Sequence, residues 1–385
     1  MANKRKIVII GPAYPYRGGP STFVSYIYKT VKNRFDVVVY NYKLLYPSFL
    51  FPGTTQFDKS KEKKFIIPNE RIVNSINPFN WLMTSKKLKQ ENADLVVFDW
   101  WHPFFGPCHF SISGLVKNRY KGKILFITEN YISHEQNRVD KILTRIGLNN
   151  ADSFMALSEI VEKELKVNFP GKKIYRSELP SFDLFSEDAV FERINERKEL
   201  GFKPEDKVLL FFGYVRKYKG LDVLIEALPG ILNKIPEAKL LIVGEFYDSV
   251  SNYSELIERL KLSDKIKLIN EFVPNEKVGK FFAAADLAIL PYRSATQSAV
   301  LNVSYSFNMP VVVTNVGGLS EFVEDRKTGI IIQPGKPEEI VKGVLEYFEL
   351  KNKIDFRKNI EEFKNRNNFK NLAGLFEQVI EETGK

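Results

Sequence analysis

Residues 211–228, FFGYVRKYKGLDVLIEAL, gather the side chains of an anion site. An apolar run from Val208 to Phe212 ends at Gly213, and Arg216, Lys217, Lys219 and Gly220 follow. Leu221, Leu224, Ile225 and Leu228 then recur at the i, i+3, i+4, i+7 spacing of one helical face. A strand that passes through glycine and cations into a helix start converges unpaired backbone N–H groups and fixed positive charge on one spot. A diphosphate fits that spot, and a diphosphate departing in a reaction needs such neutralisation most. Taken alone, the loop reads more readily as a basic turn facing solvent; the remainder of the chain reverses that preference.

Other segments carry related chemistry. The run KIVII (6–10) enters GPAYPYRGGPSTFVSYI (11–27), where Gly18 and Gly19 permit close backbone approach and Ser21 is placed to cap the next helix. The spacing is not GxGxxG, so a dinucleotide fingerprint is absent, and the turn either serves a ligand or packs a helix on a sheet. In the second half, the polar loop Arg293–Ser298 stands directly before a helix and offers a further set of N-terminal N–H groups. Of the three histidines, His134 lies in a loop beyond KILFIT and His102 follows Trp100-Trp101 beyond DLVVF. Each is either a site residue suited to proton handling or a hydrogen-bonded structural group, while His109 reads as structural. Trp100, Trp101, Phe104 and Phe105 read as core or cleft wall, with stacking on a sugar as the alternative. HExxH, CxxC and a DxD after a strand are all absent, so no metal is expected.

These loops need strands and helices to position them. Five strand-like runs mark the first half: 6–10, 36–40, 94–98, 123–128 and 153–157. Six mark the second: 207–213, 239–244, 265–270, 286–292, 310–315 and 329–333. Helical patterns alternate with them, which predicts an α/β fold with parallel sheets. Several runs are apolar throughout, as strands buried on both faces are. Gly11 and Gly213 fall at carboxyl ends of strands, where such sheets bind ligands. The stretch 177–190 reads as a linker, and the chain reads as helical after about residue 337. A length of 385 residues suits two domains, and 44% hydrophobic with 27% charged residues describes an ordinary globular protein. Cys108 is the single cysteine, which excludes an intramolecular disulfide and points to a reducing compartment. The apolar run before Pro12 is too short for a signal-peptide core, and no stretch is long enough to span a bilayer.

The net charge of +10 is unevenly placed. Residues 1–180 hold 28 lysines and arginines against 15 acids, whereas residues 181–385 hold 29 against 32. No nucleic-acid recognition motif accompanies the excess; an anionic membrane surface or a phosphate-bearing acceptor fits it. Lys59, Lys61, Lys63 and Lys64 beside Phe65, Ile66 and Ile67 either touch lipid headgroups or form a solvated loop.

Taken together, GGPST near the N-terminus, FGYVRKYKGLDVLIEA, VGEFY (243–247), DLAILPY and PVVVTNVGGLSE resemble the GT-B-fold, nucleotide-sugar-dependent glycosyltransferases of the retaining family 4 group. FDWWHPFFGP (98–107) and ENYISHE (129–135) are similar to a bacterial subset of that group, and the likeness spans nearly the whole chain. It implies two Rossmann-like doubly wound domains facing a central cleft. Residues 1–180 would bind the acceptor and 181–364 the nucleotide sugar, with a C-terminal helix, about 365–385, packing back on the first. The implied reaction moves a hexose from a UDP- or GDP-sugar to an acceptor hydroxyl with retention, without cofactor or metal. The implied acceptor is a glycan or lipid-linked intermediate of surface polysaccharide or glycolipid assembly, handled in the cytoplasm or peripherally at the inner face of the cell membrane.

The family's leaving-group contacts fall on Arg216 and Lys219. Its donor contacts fall on Gly18, Gly19, Gly213 and Glu245, and its sugar-proximal histidine on His134; His102 and Trp101 are candidates for the acceptor side. The family's two glutamates, eight positions apart, align with Ala295 and Val303. The segment Thr296, Gln297, Ser298, Ala299, Val300 stands in their place, with Glu321 or Glu324 as alternatives for the ribose. A position that often carries histidine is Glu129. A sugar-nucleotide epimerase of the same fold, a non-catalytic relative and a binding-only protein remain as alternatives.

Overall fold

The computed structural model describes residues 4–51, 53–61, 63–118, 120–131, 138–177, 185, 191–367 and 371–382. The chain forms two compact units. One comprises residues 1–58, 63–179 and 368–385; the other comprises 59–62 and 180–367.

The first unit runs β1 (Lys6–Ile10), α1 (Gly19–Val31), β2 (Asp36–Leu44), β3 (Glu70–Asn74), α2 (Pro78–Gln90), β4 (Leu95–Trp100) and α3 (Gly106–Lys117). It continues β5 (Lys123–Thr128), α4 (Arg138–Leu148), β6 (Ser153–Ala156), α5 (Glu159–Asn168) and β7 (Lys173–Arg176). Its seven strands are parallel, in the order β3-β2-β1-β4-β5-β6-β7. The central strands are buried along most of their length, with β1, β4 and β5 aligned as Val8↔Val96 and Val96↔Ile124. Phe98 stacks on Phe126 at 4.7 Å within this core.

The second unit runs α6 (Arg193–Leu200), β8 (Lys207–Phe212), α7 (Leu221–Leu232), β9 (Ala238–Val243), α8 (Val250–Arg259), β10 (Ile266–Ile269) and α9 (Asn275–Ala284). Then come β11 (Leu287–Leu290), α10 (Ala299–Ser306), β12 (Val311–Thr314), β13 (Gly329–Ile332), α11 (Pro337–Leu350) and α12 (Phe356–Arg366). Its six parallel strands follow the order β10-β9-β8-β11-β12-β13. Two doubly wound α/β sheets are thus present, as the alternating runs predict. Strand order reverses between β1 and β4 in one sheet and between β8 and β11 in the other. Loops leaving those strands splay apart there and open a crevice for a ligand.

The last helix, α13 (Leu372–Glu381), belongs to the first unit. It packs on α1 and β5, places Phe376 6.5 Å from Phe35, and joins Glu377 to Arg34 at 2.5 Å. Of the expected linker 177–190, only Ser177 and Phe185 are among the described residues. Among the described residues, no helix is long and apolar enough to cross a membrane.

Candidate functional site

In the second unit the β8–α7 connection is fixed residue by residue. Gly213 N donates to Val243 O (2.9 Å), Val215 N to Glu245 O (2.9 Å) and Tyr247 N to Val215 O (3.0 Å), which extends the β8–β9 ladder beyond the strands. That extension places the Arg216 guanidinium 4.9 Å from the centre of the Tyr247 ring. A single 3-10 turn, Lys217–Lys219, leads to Gly220, whose φ of +70° starts α7. A Cβ at Gly220 would stand 2.1 Å from Pro291 O, so only glycine lets this turn lie against the end of β11.

The turn directs Lys219 inward, leaving it 7% exposed with its ammonium 5.5 Å from the Tyr292 ring centre. At Gly213 (φ +95°) a Cβ would come within 3.2 Å of Lys219 Nζ and 3.0 Å of Val300 Cγ2. Gly213, Lys219, Tyr292 and the first turn of α10 therefore meet at one place. No carboxylate among the described residues pairs with Lys219. Burial, and then the charge of Arg216, lower its pKa to about 7. An ammonium kept from water beside a second cation gains most from an anion.

The loop ahead of α10 is anchored through Arg293. Its guanidinium holds both oxygens of Asp222 (2.8 and 2.7 Å) and donates to Lys217 O (2.8 Å). This cation ties the loop to the first turn of α7. Ser298 caps α10, its Oγ accepting from Leu301 N at 3.4 Å and lying 3.4 Å from Tyr292 Oη. Thr296 and Ser298 are buried, as is Glu245 beside the β9 end; Gln297 is half-buried and Ala299 opens the helix. Ala295 and Val303, where the resemblance places glutamates, are both buried. Of the alternatives, Glu324 is paired with Arg366 at 2.8 Å and Glu321 is exposed. Tyr292 escaped the sequence reading. It ends the run DLAILPY, and its aromatic type gave no sign that its ring would face a buried cation.

In the first unit Gly18 (φ +100°) occupies the N-cap of α1, and Gly19 is the first helical residue. Ser21 is no cap. It is buried in the first turn, its carbonyl accepting from Ser25 Oγ at 3.0 Å, because the helix starts earlier than its spacing suggested. Trp101 donates Nε1–H to Tyr46 Oη (3.1 Å) and lies 4.3 Å from the Phe105 ring. His102 Nδ1 accepts from Phe104 N at 3.2 Å and so caps the 3-10 turn Pro103–Phe105. His109 Nε2 lies 2.7 Å from Tyr42 Oη, and burial lowers its pKa to about 3, so the ring stays neutral. His134 and Glu135 lie outside the described residues. Phe65 and Ile67 are buried, which removes two of the three apolar partners expected for the Lys59–Lys64 cluster.

A buried acidic pair also went unnoticed in the sequence. Asp99 (β4) and Glu129 (after β5) leave the sheet on the same face, beside Gly11, where a Cβ would stand 3.0 Å from Asp99 Cβ. Burial, and then the charge of Glu129, hold the Asp99 carboxyl well above the usual range, and burial pushes Glu129 up to about 8. The pair keeps at least one proton at neutral pH.

The chain is similar to several known proteins. It is 32% identical over 153 residues to an uncharacterized glycosyltransferase of Methanocaldococcus jannaschii, a match covering 40% of this chain and 38% of that protein's length. It is 26% identical to another from the same organism, over 98% of this chain and all of the other. Its fold resembles that of HepE from Anabaena, solved in complex with UDP, with a TM-score of 0.74 and 15% identity over 98% and 99% of the two chains. Both sheets and their order thus fit the GT-B architecture, and residues 192–366, which carry the Lys219 site, match the family described as Glycosyl transferases group 1.

Proposed function

We propose that the protein transfers a hexose from a nucleotide diphosphate sugar to an acceptor hydroxyl, with retention of configuration. The observation that carries the reading is Lys219: a buried ammonium with no carboxylate partner among the described residues, closed in by Gly213, Tyr292 and the start of α10. As the bond from sugar to phosphate breaks, charge accumulates on the departing oxygen. Lys219 and Arg216 stabilise that charge, together with amides of Ala299 and Val300 at the α10 N-terminus. Gly213 admits the phosphates to the backbone, Thr296, Gln297 and Ser298 border the sugar and Glu245 faces the nucleotide. By resemblance Gly18 and Gly19 are assigned to the donor and Trp101 and His102 to the acceptor, and the same assignment gives His134 to the donor sugar. Two cations supply the neutralisation that a metal supplies elsewhere, so turnover persists in EDTA.

The group 1 match favours transfer over epimerisation, and UDP in the HepE complex makes uridine the first base to test. A family 4 reaction in surface polysaccharide or glycolipid assembly, on a glycan or lipid-linked acceptor in the cytoplasm, suits a basic acceptor unit. The deciding experiment is a thermal-shift screen of UDP, GDP, ADP and their sugars on the wild type and Lys219→Ala. One diphosphate should raise the melting temperature of the wild type and leave the variant nearly unmoved. Equal stabilisation of both proteins rejects the assigned site, and sugar-nucleotide conversion without acceptor would point to the epimerase.

A further inference from the structure

Helix α3 packs between α2 and α4, so the three form one layer over the first sheet. A surface layer of this kind normally turns polar residues outward. On α2 the outward positions 79, 82, 83 and 86 are Phe, Leu, Met and Lys, whereas Thr84, Ser85 and Leu88 face inward. Phe79 is 81% and Met83 63% exposed. On α4, Val139 and Ile142 are 60% and 59% exposed, with Ile146 a turn further, while Thr144, Gly147 and Leu148 are buried. Phe110 of α3 is exposed between them. Single exposed apolar side chains need no explanation, but outward apolar stripes on the two helices that flank α3 mark a surface that meets something other than water.

Charge identifies that partner. Neither α2 nor α3 contains an acidic residue, and α4 contains only Asp140. Lys86 and Lys89 on α2, and Arg138, Lys141 and Arg145 on α4, are exposed among the apolar tips. A second copy of this chain, related by a twofold axis, would set these cations against themselves. Apolar tips ringed by cations, with Asp140 the single acid on the three helices, complement a layer of anionic headgroups over hydrocarbon. We propose that the outer face of α2, α3 and α4 docks on an anionic lipid bilayer. Phe79, Leu82, Met83, Val139 and Ile142 enter the headgroup boundary, and the lysines and arginines lie at phosphate level. The inference is independent of the transferase reading, since nucleotide binding in the second unit neither requires nor reports it.

Flotation of the full chain with vesicles of phosphatidylglycerol and phosphatidylethanolamine tests it, against phosphatidylcholine vesicles. Two variants are compared: Phe79→Ser/Met83→Ser/Ile142→Ser and Lys86→Glu/Lys141→Glu/Arg145→Glu. All six positions are exposed, and an unchanged melting temperature confirms folding. The wild type should float with anionic vesicles only, each variant should bind about tenfold less, and salt raised to ~0.5 M should release the wild type. Equal flotation of wild type and variants overturns the proposal, as does absence of the wild type from anionic vesicles at low salt. A dimer that the same variants dissolve without vesicles also overturns it, and identifies a face for self-association.

Discussion

Burial, and then Arg216, lower the Lys219 pKa to about 7, and an anion placed beside the ammonium would raise it again. At pH ~8 most Lys219 side chains are deprotonated in the free protein. Binding of the cognate nucleoside diphosphate should therefore take up close to one proton, seen as a dependence of the calorimetric enthalpy on buffer ionisation. Lys219→Arg removes that uptake, and an unchanged proton count would place the anion elsewhere. The same lysine sets a stability trend. Its folded pKa lies below the unfolded value, so the unfolded chain binds more protons between about 7 and about 10.4 and stability rises with pH across that window. The Asp99–Glu129 pair has the opposite sign. The folded state holds protons that the unfolded state releases, so its contribution falls from pH ~4.5 up to about 8. Glu129→Gln should gain stability relative to the wild type in denaturant melts on going from pH ~5 to pH ~8, and parallel behaviour would dismiss the pair. Lys219 stood out in the sequence because cations between glycines after a strand announce an anion site. The pairing of Asp99 with Glu129 did not, because only the sheet brings residues thirty positions apart onto one face.

At the level of elements, the β8–α7 turn depends on Gly220 and α10 on Ser298. Gly220→Ala combines a left-handed backbone with a clash against Pro291 O, and should cost at least ~2 kcal/mol. Ser298→Ala should cost about 1 kcal/mol as a lost cap. Under the proposed function the Ser298 change also weakens donor binding, because the cap sets the direction of the α10 amides. A loss of affinity with no change in melting temperature would show that Ser298 touches the donor and caps nothing. The sequence named all six strands of the second sheet, whose residues are mostly apolar. It missed β3 (ERIVN) and β7 (KIYR), both at sheet edges, where one side faces water and charged residues interrupt the apolar signal. Ser21 was mistaken for a cap because two glycines and a proline precede it, and the glycine itself took that position.

For the whole molecule, the two-sheet plan was legible from the alternation of runs, and the charge imbalance from composition alone. The outward apolar stripes were not, because period-3.6 apolar residues look the same whether they face a core or the solvent. The placement of α13 makes its own prediction. Ending the chain before Leu372 uncovers Phe35 and removes the partner of Arg34. Calorimetry should then show a lowered transition for the first unit beside an unshifted one for the second, and a single transition lowered as one would refute independent units. The position of α13 also bears on how the protein is made. A ribosome delivers residues 372–381 after the 180–367 stretch of the second unit, so the unit encoded first waits with an unfinished surface while the one encoded second already has that stretch. Order of translation is thus reversed in order of completion, and a nascent chain stalled before α13 is the species most in need of a chaperone.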